Sequence, residues 1–155
     1  MYNNIMVPLD GSELAECVLP HVEAIAKGCK AGNVMFVHVV EPFYTRGGLG
    51  YFYNEADIKR IDSKNKAAAE KYLDQLVSRV SYDGINVQSE VITGKAAADS
   101  IADYATKNEV DLTIIATHGR SGVSRWVWGS VADRILRSSC VPVLMVRAPG
   151  CIPGI

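Results

Sequence analysis

Residues 116–131, ATHGRSGVSRWVWGSV, set three glycines among side chains able to handle an anion. Gly119 and Gly122 lack a Cβ, so the backbone there can take a positive φ, approach a ligand closely and present its N–H groups as a concave anion site. Gly129, Ser130 and Val131 stand where a helix starts, and unpaired N–H groups with the positive end of the helix dipole favour phosphate there. Thr117, Ser121, Ser124 and Ser130 supply neutral donors, and Arg120 or Arg125 can neutralise charge. The chemistry this pattern offers is polyphosphate binding between the two ends of one loop. It is not a Walker A loop, since no GxxxxGK[ST] string exists, and it is not the G-x-G-x-x-G fingerprint. In the plainer reading the glycines only punctuate a strand-to-helix connection. About ten residues is long for such a connection, where two to six is usual, and the excess favours function.

His118 can meet a phosphate or a metal-bound water, but a histidine without a catalytic partner is more often a structural hydrogen-bonder. His38, inside an apolar strand, reads as a satisfied core residue, and His21, on a helix, as a surface one. Asp10 in LDGS suits a nucleoside hydroxyl and equally suits a local Asx turn. Phosphoryl transfer needs a water-positioning group and usually Mg²⁺ held by carboxylates or hydroxyls, and no carboxylate lies between 116 and 131. Slow ATP hydrolysis is the most that these residues promise. Trp126 and Trp128 alternate and are read as packing residues.

These residues need a scaffold, and the chain supplies one. IMVPL (5–9) reads as a strand, Ser12 as the cap of a helix running to Cys29 that Pro20 should bend, and NVMFVHVV (33–40) as a strand covered on both faces. Residues 41–57 look like an aromatic, glycine-rich excursion that could fold over a ligand as a lid. Ile58, Ile61, Ala68, Tyr72, Leu76 and Val80 then mark one face of a long helix. Strands at 85–92, 111–116 and 141–147 alternate with helices at 96–108 and 131–139. Five strands alternating with four helices predict an α/β fold, one doubly wound parallel sheet with helices on both faces. In the order 3-2-1-4-5 the reversal lies between the first and fourth strands, where such sheets bind ligands outside their carboxyl ends. LDGS and the 116–131 loop would face each other there.

At 155 residues and 48% hydrophobic the chain is the size and composition of one soluble domain. Sixteen Lys and Arg against 17 Asp and Glu leave a net charge of −1 with no long basic run, so nucleic acid is not an expected partner. The apolar runs are far short of the roughly 20 residues that cross a bilayer, and the start MYNNIMVPLDGS lacks a secretory pattern, so a cytoplasmic location is expected. Cys17, Cys29, Cys140 and Cys151 show no CxxC spacing, and two of them sit in apolar helical positions, where free cysteine behaves as a small hydrophobe. The domain is taken as 1–148 with a flexible tail at 149–155. The strand VPVLMVR falls at the sheet edge and is too apolar to be left bare, so it should pair with something.

From IMVPLDGS through VHVVEP and ATHGRSGVSRWVWGSVADRIL to CVPVLMVR the chain resembles the universal stress protein family. The nucleotide-binding branch of that family carries G-x2-G-x9-G-[ST], matched here by Ala116, Gly119, Gly129 and Ser130, with alanine at the first glycine. Were a positive φ required at that position, alanine would cost on the order of 1 kcal/mol. The resemblance implies an adenine nucleotide hydrolase-like fold and ATP, ADP or AMP as ligand, with Mg²⁺. It places Pro8, Leu9 and Asp10 near adenine and ribose and Val39 against the base. Gly119, Arg120, Gly129, Ser130 and Val131 would face the phosphates, with Gly122 and His118 in the same loop, and Gly94 would approach from the side. It also implies a homodimer through Val143, Leu144, Met145 and Val146, in which bound nucleotide modulates conformation and partner binding in a stress response. A nucleotide-independent interaction module and a slow ATPase are the alternatives.

Overall fold

Alternating faces organise the sheet. Ile5 and Val7 of β1 (Asn4–Pro8), Val34 and Phe36 of β2 (Asn33–Val40), and Leu112 and Ile114 of β4 (Leu112–Ala116) turn to one side, while Met6, Val37 and Ile115 turn to the other. The computed structural model describes residues 1–43, 54–117 and 129–147. With β3 (Asn86–Thr93) and β5 (Val143–Val146) the strands form one parallel sheet of order β3-β2-β1-β4-β5, as the alternation of elements predicts.

The first face packs against α1 (Leu19–Cys29) through Val22 and Ala26, and against α2 (Glu55–Arg79) through Leu73 and Leu76. The second packs against α3 (Ala97–Lys107) through Ala98, Ile101 and Tyr104, and against α4 (Ser130–Ser138) through Ala132 and Ile135. Each helix lays an apolar stripe on the sheet, and this burial is the main source of stability in such a layered domain.

Several local expectations change. Pro20 does not bend a helix, because α1 starts at Leu19 and the proline sits in its first turn, where its missing N–H would have had no partner. The residues before it, Ala15–Val18, form a 3-10 turn. The left-handed residue that ends α1 is Lys30, with φ of 55°. α2 begins at Glu55, inside the expected excursion, because Asn54 accepts the Asp57 N–H at 2.8 Å and caps it. Its buried stripe runs through Ala69 and Leu73, one position on from Ala68 and Tyr72. A run of three alanines gives periodicity no means of choosing between neighbours.

At the amino ends of the strands, in-register asparagines join side chain to side chain. Asn33 donates to Asn4 at 2.8 Å and accepts from Asn86 at 2.9 Å. Asp111 accepts the Asn3 N–H at 2.7 Å and draws the start of β4 to the same edge. These bonds lie at the end of the sheet away from the candidate site and hold β1, β2 and β3 in one register.

Candidate functional site

β1 and β4 are neighbours whose connections leave toward opposite faces, so their carboxyl ends open a crevice. A cavity of about 270 Å³ occupies it, near the lower end of the range of small-molecule sites. Its floor is Pro8 and Leu9 from β1 and its exit, Val37 and Val39 from β2, and Ile115 and Ala116 from β4. One wall is Asp10 and Ala15, and the other comes from α3 through Ala97 and Ile101. Thr117, Gly129, Ser130, Val131 and Ala132 close the end.

The Asp10 wall is shaped by its own turn. Leu9 carries the strand ladder one residue past β1, its N–H donating to the Val37 carbonyl at 2.9 Å. Gly11 then takes a φ of 81°, which a side chain would resist. Asp10 Oδ1 accepts the Ser12 N–H at 3.0 Å and the Ser12 hydroxyl at 2.6 Å, while Ser12 Oγ accepts the Ala15 N–H at 3.2 Å. The Asx turn is therefore present, and it presents the carboxylate to the cavity. Among the described lining residues Asp10 is the charged one.

Behind this turn Glu16 accepts from the Tyr72 hydroxyl at 3.1 Å and from Arg79 at 2.6 Å, tying the 3-10 turn to α2. Burial, reinforced by the Glu16 carboxylate, holds the Tyr72 phenol far above its usual range, so it stays a donor. The half-buried His38 ring packs edge-on to Tyr72 with centroids 6.1 Å apart, and His21 is exposed, as its place on a helix predicts.

The far end is a helix amino terminus. Gly129 is the N-cap of α4 and brings no side chain to it. Its own N–H is engaged, donating to the Thr117 carbonyl at 2.8 Å, while the Thr117 N–H donates to Val146 at 2.8 Å. The two residues flanking 118–128 are thus joined, and the amides that follow Gly129 lie at the cavity's edge. An apolar slot with a carboxylate at one end and a helix amino terminus at the other can hold a molecule that is flat and apolar in part, hydroxylated in part and anionic at its tip.

Of the residues expected at the site, Pro8, Leu9, Asp10, Val39, Ala116, Gly129, Ser130 and Val131 line this one cavity. Gly94 does not. Its N–H donates to the Val40 carbonyl, and a Cβ there would collide with the Ser100 hydroxyl, so its bareness serves the packing of α3. His118, Gly119, Arg120 and Gly122 lie outside the described residues, as do Tyr44, Tyr51, Phe52, Tyr53, Trp126, Trp128 and Cys151. Ala15, Val37, Ala97, Ile101, Ile115 and Ala132 also line the cavity, without having been expected there. Ala97 and Ile101 share a helix face by their spacing of four, and three alanines opening α3 are the available signal that something must approach there.

A model of the universal stress protein family matches residues 1–147. The chain belongs to the universal stress protein family. Universal stress protein MJ0531 of Methanocaldococcus jannaschii is 30% identical over 151 residues, covering 96% of this chain and 84% of that one. The solved structure of hypothetical protein MJ0577 superposes with a TM-score of 0.72 at 29% identity, over 97% of this chain and 99% of that one. A universal stress protein family protein from Arabidopsis thaliana, solved with AMP bound, shares the fold at a TM-score of 0.65 and 16% identity, over 96% of this chain and 93% of that one. In this universal stress protein Ala116 is the last residue of β4, 6% exposed and without a positive φ, so the alanine carries no backbone penalty. Among the described residues no helix is long and apolar enough to cross a membrane.

Proposed function

We propose that this universal stress protein binds ATP, or ADP or AMP, in the crevice between β1 and β4, as a module for stress response or signalling. The observation that carries the reading is the cavity itself, apolar over its floor, with Asp10 on one wall and the uncapped start of α4 at its end. Adenine suits the slot of Val39, Ile115 and Leu9, ribose hydroxyls suit the Asp10 carboxylate, and phosphate suits the amides after Gly129. The AMP held by a relative of the same fold supports an adenine nucleotide as the ligand class. Arg120, Gly119, Gly122 and His118 are assigned to the phosphates through the loop motif.

Mg²⁺ would arrive with the nucleotide. The described residues bring no three acidic, histidine or cysteine side chains together around a metal, and the cavity's oxygen donors are Asp10, Thr117 and Ser130. This donor set suits binding better than turnover. Residues 1–148 form the domain and 149–155 a tail, and the protein works in the cytoplasm. Two copies pair through Val143, Leu144, Met145 and Val146 of β5, the terminal strand of the sheet. Bound nucleotide modulates this surface and partner binding.

Titration calorimetry with ATP, ADP, AMP and GTP tests the reading. One adenine nucleotide per chain is expected, with affinity falling as phosphates are removed. Absence of binding at millimolar ATP with Mg²⁺ would overturn it and leave a nucleotide-independent interaction module. Phosphate release within minutes would instead make the protein an ATPase.

A further inference from the structure

Two helix amino termini border the cavity, and the chain treats them differently. α4 opens at Gly129 without a side-chain cap. α3 opens at Ala96, which also has no capping side chain, yet its first amide is answered from elsewhere. Glu41, 56 residues away at the end of β2, accepts the Ala97 N–H on Oε1 at 3.0 Å. Ala97 lines the cavity, and so does Val39, two residues before Glu41. The carboxylate therefore stands at the α3 corner of the site, where it offsets the positive end of that helix.

The backbone on either side of Glu41 is anchored. Gly94 donates its N–H to the Val40 carbonyl at 3.2 Å, and the Phe43 N–H donates to Asp62 Oδ1 of α2 at 2.9 Å. An anion entering the crevice meets one helix terminus answered by a carboxylate and another that, among the described residues, has no capping side chain. We propose that Glu41 is a specificity-determining residue that orients the ligand: it turns phosphate away from α3, so that the charged tail lies at α4 and the uncharged base on the side of Val39 and Ala97. The proposal rests on the adenine-nucleotide reading.

The test compares wild type with Glu41→Gln and Glu41→Asp, titrating each with ATP and with adenosine at low and at high potassium chloride. Glutamine keeps an oxygen for the Ala97 N–H and removes the charge, whereas aspartate keeps the charge. The ATP-to-adenosine affinity ratio is expected to rise about three- to tenfold in Glu41→Gln at low salt, to fall back toward wild type at high salt, and to stay near wild type in Glu41→Asp. A purely structural cap would move both ligands together and without salt dependence. A ratio equal in all three proteins overturns the role of Glu41 while leaving nucleotide binding intact. Failure of the wild-type protein to bind either ligand removes both readings.

Discussion

Asp10 holds its own turn and, in the proposed complex, also takes the ribose hydroxyls, and a single substitution separates the two. Its Oδ1 atom anchors the turn by accepting from Ser12, which an asparagine oxygen also does. A charged acceptor is worth about 1.5–3 kcal/mol to a hydroxyl donor against about 0.5–1.5 for a neutral one. Asp10→Asn should therefore fold normally and bind both ATP and adenosine roughly tenfold more weakly by calorimetry. Unchanged adenosine affinity would remove the ribose contact from the account. A second residue reports on the core. Tyr82 is 6% exposed and its hydroxyl has no hydrogen-bond partner among the described residues. Burial, with a smaller push from Glu23, raises its phenol to about 12. The unfolded phenol loses its proton near pH 10, so the folded state holds more protons between about pH 10 and 12 and stability falls as pH rises through that window. Tyr72 and Tyr104, raised in the same direction by burial, add to the loss. Tyr82→Phe should be as stable as wild type or up to about 1 kcal/mol more stable at pH 7, and should lose less stability between pH 9 and 11 in urea titrations. An equally steep alkaline loss would contradict this.

Among the elements, α4 offers the most direct manipulation. Gly129 has a φ of −51° and a ψ of 133°, a backbone that other residues adopt without strain. Gly129→Asp would give α4 the carboxylate cap that Glu41 gives α3. Helix capping should improve by a few tenths of a kcal/mol. ATP affinity should drop at least about tenfold while adenosine loses far less, since the new charge sits where the phosphates are assigned. Equal losses for both ligands would place the phosphates elsewhere. The elements themselves were largely legible in the chain, and the reasons are local. DLTIIA and NVMFVHVV are continuous apolar runs of strand length, and a glycine followed by Ser130 marks a helix start. The start of α2 was hidden because its signal is a polar cap, Asn54, inside a stretch that otherwise reads as loop. The α3 wall was hidden for a different reason. Glu41 and Ala97 lie 56 residues apart and meet through a direct hydrogen bond, and no spacing rule reports a tertiary contact of that kind. Of the cavity lining, Pro8, Leu9, Asp10, Val39 and Ala116 near strand ends and Gly129, Ser130 and Val131 at a helix start were readable, whereas the rest of the apolar lining was indistinguishable from ordinary core.

On the scale of the whole molecule, the sheet has two ends with different surfaces. β3 places Asn86, Gln88, Glu90 and Thr93 outward, while β5 carries Val143, Leu144 and Met145 only half-buried. Toward β4, the carbonyls of Pro142 and Val146 are used by Thr113 and Thr117. The alternation of a strand then turns the main-chain groups of Val143 and Met145 to the open edge. Met145→Pro removes one of those N–H groups and leaves the β4 ladder intact. If two copies pair there, the variant should remain folded by circular dichroism and sediment as a monomer at concentrations where the wild type sediments as a dimer. A dimer that survives the substitution would place the contact on another face.

All three scales meet in one placement, and a crystal structure of the protein grown with a non-hydrolysable ATP analogue and Mg²⁺ tests it most directly. Adenine is expected between Val39 and Leu9, the ribose hydroxyls on the Asp10 carboxylate, and the phosphates against the amides that follow Gly129, with none near Glu41. A cavity filled by the protein's own side chains, or an analogue with its phosphates at the start of α3, would contradict it.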